Sequence, residues 1–233
     1  MKKSNFFLWV IILAFFICSD CLATNYFISN SGNDNNNGTS ISTPWKTLMK
    51  INNTLFHHGD TIKLKGGEIF ESSSSLYGSK LWISSSGSVD SPIVYTSYGD
   101  NRAIIKADTI GIYCVNKEYI EIRSINLRSS FNPFNQTGLS IFNNFGIYFL
   151  NIGNTKLNKL KIDSCGISRF LDGGIHFNSD CIPGYEDIKI TNCRIDSIGQ
   201  HGYCFNRYHL MKRLFNWQNY RQSRPERFCD EMI

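Results

Sequence analysis

A repeat of 28 residues limits the folds open to this chain more than any other feature: Leu160-Lys161-Ile162-Asp163-Ser164-Cys165-Gly166-Ile167 aligns with Ile188-Lys189-Ile190-Thr191-Asn192-Cys193-Arg194-Ile195. The register continues through Phe170 with Ile198, Gly174 with Gly202 and Phe177 with Phe205. One interval earlier, Gly146-Ile147-Tyr148-Phe149 falls on Gly174-Ile175-His176-Phe177, which falls on Gly202-Tyr203-Cys204-Phe205. A still earlier copy, Ile120 to Leu127, fits the template once Phe131 to Asn144 is allowed to hold an insertion. A fixed period of this size points to a repeat architecture.

Each unit holds short alternations such as Ile188-Lys189-Ile190, broken by Gly, Asn, Ser and Asp, which is how strands joined by tight turns read. None holds the roughly 10–15-residue helical pattern of a βαβ crossover. Such a unit can bury its apolar face only by stacking on its neighbours, with parallel strands about 4.8 Å apart. The chain is therefore expected to be all-β, a parallel solenoid in which equal positions form ladders. Inward ladders are Ile122, Ile162, Ile190; Ile125, Cys165, Cys193; and Leu127, Ile167, Ile195. Cys165 and Cys193 read as small hydrophobes filling one narrow line, because parallel side chains seldom present the dihedral of a disulfide.

The two ends differ from this body. Lys2 and Lys3 precede an apolar run from Phe6 to Ile17, and Cys21-Leu22-Ala23 ends in a small residue suited to cleavage, so residues 1–23 read as a secretory signal peptide. Lipidation is disfavoured because Ile17 precedes Cys18 and Asp20 precedes Cys21. No later stretch approaches the roughly 20 apolar residues of a membrane span, so a secreted chain free of the membrane, extracellular or periplasmic, is expected. Between Thr24 and Phe205 lie 16 basic and 15 acidic residues, which lacks the basic stripe a nucleic-acid partner requires. The six cysteines beyond the signal (Cys114, Cys165, Cys181, Cys193, Cys204, Cys229) show no CxxC pair and no His at zinc spacing.

At the start of the mature chain Tyr26-Phe27-Ile28 is a short strand, followed by a polar turn through Thr39. Ser42 or Thr43 can cap a helix beginning at Pro44, with Trp45, Leu48, Ile51 and Leu55 on one face, placed to cover the open end of the solenoid. The run Tyr26-Phe27-Ile28-Ser29, Gly32-Asn33-Asp34, Asn37-Gly38-Thr39, Pro44-Trp45-Lys46-Thr47, Gly59-Asp60-Thr61-Ile62-Lys63-Leu64-Lys65-Gly66-Gly67 and Ser91-Pro92-Ile93 resembles the opening of secreted bacterial right-handed β-helix proteins. These include pectate-lyase-like polysaccharide lyases of the family-nine type. The resemblance spans roughly Thr24 to Phe205. It implies a right-handed parallel β-helix with a short N-terminal capping helix: a cap over about 24–58 and coils over about 60–205. It says less about activity, since the same fold serves many functions.

The resemblance further implies a monomer that cleaves or binds acidic polysaccharides such as pectate, with Ca²⁺ held by acidic residues to neutralise the sugar carboxylate and a Lys or Arg as base. A non-catalytic carbohydrate-binding or surface β-helix is the alternative. Candidate substrate-binding residues are Lys161 over Lys189 with Glu121 two coils back, Tyr148 and His176 in a row with Cys204, and Asp172 near a turn. Asp180 and Asp187 also lie near turns. The plainer reading makes the Lys and Glu side chains solvated charges and His176 a partly exposed strand residue. No catalytic residue or metal ligand is assigned, and no cofactor is evident from the residues alone. Asn33-Asp34-Asn35-Asn36-Asn37-Gly38 echoes a calcium loop, but its first position is Asn and its twelfth is Pro44, so it reads as a polar turn.

The period ends at Phe205: position 216, where the next Ile-x-Ile belongs, reads Asn216-Trp217-Gln218. Residues 206–233 carry five of the ten arginines and no useful periodicity. Either this segment caps the last coil, or a broken reading frame has left a truncated, inactive β-helix with an unrelated tail; the lack of periodicity favours the second. N-terminal sequencing of the exported protein is expected to begin at Thr24, and a lipid-modified cysteine at its start would contradict the signal-peptide reading.

Overall fold

The computed structural model describes residues 23–71, 81–130, 144–179 and 184–199, and the backbone of 201–206. The signal segment, the insertion at 131–143, Asp180, Cys181, Cys229 and the tail at 207–233 lie outside the described residues.

The alternating segments form strands of three parallel sheets. Sheet A joins β1 (Asn25–Ile28), β2 (Thr61–Lys65), β5 (Ile93–Tyr98), β8 (Ile120–Arg123), β11 (Leu157–Asp163) and β14 (Tyr185–Thr191). Sheet B joins β3 (Ile69–Phe70), β6 (Ala103–Lys106), β9 (Ile125–Arg128), β12 (Gly166–Ser168) and β15 (Arg194–Asp196). Sheet C joins β4 (Leu81–Ile83), β7 (Ile112–Val115), β10 (Phe145–Asn151), β13 (Gly173–Ser179) and β16 (His201–Asn206). From β2 onward the chain visits A, then B, then C on every turn and pairs each strand with its counterpart in the next turn, which defines a parallel β-solenoid.

The expected ladders form. Ile162 pairs with Ile122 and Ile190, and Ile167 with Leu127 and Ile195. Cys165 lies one residue before the pairing of Gly166 with Asn126 and Arg194, which sets it level with Ile125 and Cys193. All of these ladder residues are buried, and each fully buried aliphatic side chain contributes about 1.5–3 kcal/mol. Both cysteines are free thiols. The Cys193 side chain holds the buried Cys165 thiol well above its ordinary range, and burial pushes Cys114 up to about 12, so these thiols behave as core filler.

Two details of the backbone make the stacking tight. At the corner from sheet A to sheet B a single residue takes the left-handed conformation: Ser124 at φ 54°, Ser164 at φ 55° and Asn192 at φ 53°. That conformation costs a non-glycine residue about 1–2 kcal/mol. It persists because the corners bond to one another, Ser124 N–H to Asp163 O at 3.0 Å and Ser164 N–H to Thr191 O at 3.0 Å. The second detail is a line of glycines at the start of the later sheet C strands. A Cβ on Gly146 would lie 2.5 Å from the Gly174 carbonyl oxygen and 2.4 Å from Ile167 Cγ2, and one on Gly111 would lie 2.6 Å from the Gly146 oxygen. Gly202 continues the line, one residue after His201, which pairs with Gly173.

The helix is shorter than the sequence suggests. It spans Leu48–Asn52 (α1), with Thr47 rather than Ser42 or Thr43 as its N-cap, the Thr47 side chain accepting from Lys50 N–H. Pro44-Trp45 is extended, because Trp45 pairs with Ile28 and stacks on Tyr26 at 4.8 Å. Leu55, expected on the apolar face, is exposed. Asp34 sets this boundary: its Oδ1 accepts from the Lys46 and Thr47 N–H groups at 2.8 and 3.0 Å, and its Oδ2 accepts from the Thr47 hydroxyl. The end of α1 and the residues after it bond to β4 and its C-terminal flank, with Trp82 N–H donating to Asn52 Oδ1 at 2.8 Å and the Ser84 hydroxyl to Thr54 O at 2.7 Å.

Gly146→Ala is expected to cost about 1–3 kcal/mol or more, because the clash is with backbone of the next coil. Gly153→Ala, whose nearest atom is 3.5 Å away, should be nearly neutral. Urea unfolding of the two variants checks the contrast.

Candidate functional site

The outward positions of sheet C carry a row of rings. Inward neighbours Leu81, Ile83, Ile112, Cys114, Ile147, Phe149, Ile175 and Phe177 are all buried, so alternation turns Trp82, Tyr113, Tyr148 and His176 to the opposite face. Strand register stacks them in order, Trp82 on Tyr113, Tyr113 on Tyr148, Tyr148 on His176. Their ring centroids are 5.3, 5.6 and 4.8 Å apart, and Tyr148 and His176 are parallel within 3°. Phe145 closes on both, at 5.1 Å from Tyr148 and 4.6 Å from His176.

Of the sequence candidates, then, Tyr148 and His176 come together. His176 is not the partly exposed residue expected: it is 5% exposed, packed between Phe145 and Tyr148. Trp82 and Tyr148 remain partly exposed. Beside them Asn178 Nδ2 donates to Tyr148 Oη at 3.1 Å, and the Asn178 carbonyl accepts from the Tyr185 hydroxyl at 2.8 Å. The sequence reading missed Trp82 and Tyr113 because their coils do not keep the 28-residue spacing: Tyr113 precedes its partner Tyr148 by 35 positions. The available signal was the flanking alternation, Leu81-Trp82-Ile83 and Ile112-Tyr113-Cys114, each an aromatic between two core residues.

Lys161 and Lys189 stack in register on a different face, that of sheet A, and do not meet the aromatic row. Lys161 Nζ lies 2.6 Å from Glu121 Oε1, which also receives Arg123 at 3.6 Å, so Lys161 is paired rather than simply solvated. Next to them Asp163 accepts from Thr191 and Asn192. Partial burial works against ionisation of Asp163, yet these hydrogen bonds and the Lys161 ammonium outweigh it and lower its carboxyl. Asp172 lies at the corner from sheet B to sheet C, where its Oδ2 accepts the Asn144 N–H at 2.7 Å. Asn144 is itself fully buried and ties that corner to Asp108 O at 2.6 Å and Leu171 N–H at 2.6 Å. Asp172 thus orders a turn.

No group of three or more His, Cys, Asp or Glu side chains among the described residues converges as a metal would require. The oxygens of Asp34 are taken by its own loop and those of Asp163 by Thr191, Asn192 and Ser164. The strands of sheet C whose side chains are described bring polar and aromatic groups without a carboxylate, ammonium or guanidinium: LWI, IYCV, FGIYFLN and GGIHFNS. Among the described residues this face offers ring surface, the His176 imidazole and neutral hydrogen-bonding groups.

The class that fold and face define is a parallel β-solenoid with an aromatic row along one sheet. No protein-family model matches the sequence. A stretch of 81 residues is 36% identical to a lacto-N-biosidase of Bifidobacterium longum subsp. longum, covering 33% of this chain and 5% of that protein. A crystal structure of GH136 lacto-N-biosidase from Eubacterium ramulus superposes with a TM-score of 0.64 at 16% identity, over 78% of this chain and 35% of that one. The native form of the same enzyme gives 0.62 over 75% and 34%. This likeness is one of fold, and the chain spans about a third of the length of those structures. A rhamnogalacturonan lyase, at a TM-score of 0.45 and 14% identity, aligns too loosely to carry an argument. The match to the lacto-N-biosidase structures is thus one of fold, and the pectate-lyase-like family that the opening motifs resemble is not shown by it. Among the described residues no helix is long and apolar enough to cross a membrane.

The depressed carboxyls set a pH dependence. Asp34 is lowered like Asp163, hydrogen bonds from Thr47 and Lys46 overcoming the opposing effect of burial. A carboxyl whose folded value lies below its unfolded value adds stability that is complete above the unfolded value and is lost as pH falls through the folded one. Unfolding by urea should therefore become easier as pH drops below the ordinary aspartate value of 3.8. Asp34→Asn and Asp163→Asn should each flatten that fall, measured by urea midpoint against pH.

Proposed function

We propose that this chain is the β-solenoid part of an exported carbohydrate-active protein, and that the outward face of sheet C binds glycan. The observation that carries the reading is the continuous row Trp82, Tyr113, Tyr148, His176 running across four coils of a solenoid whose fold is similar to that of a lacto-N-biosidase. Sugar sites combine aromatic surface with a few placed polar groups, and the row supplies both. Asn178 donates to the Tyr148 oxygen at 3.1 Å, which fixes a neutral polar pair beside the rings.

Several further readings belong to the same proposal. The coils wind right-handed, as parallel strand crossovers within a sheet almost always do. Residues 1–23 direct secretion, residues 24–205 form the solenoid domain, and α1 with its flanking loop covers the first coil against edge-to-edge association. The protein acts as a monomer on polysaccharide. A second reading, β-elimination on polyuronates such as pectate, is favoured by the opening motifs alone.

Glycan-array and titration measurements on the mature chain should detect binding that chelator leaves unchanged. Tyr148→Ala and Trp82→Ala should each weaken it about tenfold, the loss of about 1.4 kcal/mol. Binding unaffected by either variant would remove the sheet C assignment. Ultraviolet-absorbing unsaturated uronate released from pectate, and abolished by chelation, would instead support the lyase reading.

A further inference from the structure

Charge is divided unevenly among the three sheets, and the division bears on what the aromatic row can hold. Sheet A strands carry charges of both signs, among them Lys63, Lys65, Glu121, Lys161, Glu186 and Lys189. Sheet B strands present Lys106, Arg128, Arg194 and Asp196. All five strands of sheet C, by contrast, contain no Lys, Arg, Asp or Glu. The second outward row of that sheet, Val115, Leu150 and Asn178, is apolar or neutral as well.

The orientation of the rings narrows the chemistry further. Tyr148 and His176 lie face to face at 4.8 Å and 3°, so each covers the other's face and the stack presents rims and polar tips. At the surface the row thus sets the partly exposed Trp82 and the rim of the partly exposed Tyr148 beside the neutral Tyr148–Asn178 pair. These are neutral donors and acceptors set on an apolar bed. A ligand carboxylate brought onto such a surface loses water without meeting a cation, whereas sugar hydroxyls exchange water for neutral hydrogen bonds. At the described corners charges of both signs border the sheet, Arg169 with Asp108 and Asp172 on one side, and on the other Lys117 with Glu118 and Lys156 paired to Glu186 at 3.3 Å. None of them belongs to the strands that carry the row.

Resting on the reading of sheet C as a glycan-binding face, we infer that its ligand is an uncharged oligosaccharide and not a polyuronate. Such binding depends little on salt, because no ion pair forms on contact, whereas polyanion binding weakens steeply as salt rises.

The test titrates the full mature chain with neutral oligosaccharides (cello-, xylo-, galacto- and chito-oligosaccharides) and with oligogalacturonate and a glucuronate-containing polymer, at low and high salt. Tyr148→Ala and Tyr148→Phe are measured alongside, with thermal melting to confirm that each is folded. The expected result is binding of at least one neutral series that changes less than about twofold with salt. Tyr148→Ala should weaken it about tenfold, while Tyr148→Phe, which keeps the stack and loses one polar tip, should stay within about threefold. Salt-sensitive binding of the uronates alone, weakened by Tyr148→Ala, would overturn the neutral ligand and leave the face standing. Binding of any series that a folded Tyr148→Ala leaves unchanged would overturn the face itself, and with it the inference. Should Tyr148→Ala not fold, Trp82→Ala at the other end of the row takes its place, with the same outcomes.

Discussion

Every feature of this molecule derives from one constraint: the backbone of each turn is hydrogen-bonded to the same positions of the turns before and after it. In a parallel ladder a residue's neighbours along the axis are its equivalents, so a side chain must be compatible with a copy of itself about 4.8 Å away. Ile122, Ile162 and Ile190 satisfy this with nested aliphatic chains, and Phe149 with Phe177 by parallel rings at 4.8 Å. Where no side chain of any size fits, as at Gly111 and Gly146, the position falls to glycine. Charges meet the same constraint differently. Lys161 sits over Lys189, and the repulsion is relieved on the other side by Glu121.

The same constraint explains which parts of the fold were legible in the sequence. Coils from β10 onward keep a uniform length, so like residues recur at fixed spacing and the ladders through Ile162, Cys165 and Ile167 can be read directly. Before β10 the coils vary in length, and the pairing of Ile112 with Ile147 or Thr61 with Val94 is invisible to a fixed period. Tyr95 is a further case: it occupies an inward position between Ile62 and Ile122, fully buried, and no aliphatic template anticipates it. Burial raises its hydroxyl far above the usual tyrosine range.

The candidate site divides along similar lines. Tyr148 and His176 were visible because they share the regular period, and Trp82 and Tyr113 were hidden because they precede it. Lys161, Lys189 and Asp172 were credible from residue type alone, but type does not report which of three sheets a strand joins. Only register separates the charged face from the aromatic one. The N-terminal helix shows a related limit: Ser42, Thr43 and Thr47 are all competent caps by composition. The choice of Thr47 is made by Asp34, thirteen residues upstream, through bonds to the Lys46 and Thr47 amides.

The corners of the coil are unequal in a way that shapes how such a protein can change over time. From sheet A to sheet B the passage is made by one or two residues in the later coils, Ser124 alone or Ser164 with Cys165, locked by their left-handed backbone and by bonds to the adjacent turn. From sheet B to sheet C it ranges from residues 169–172 in one coil to 129–144 in another. Large insertion is therefore found at the border of the aromatic row, while the corner farthest from it stays within one to four residues. A lineage built on this frame can vary the rim of its recognition surface by insertion while the stacked interior is inherited unaltered.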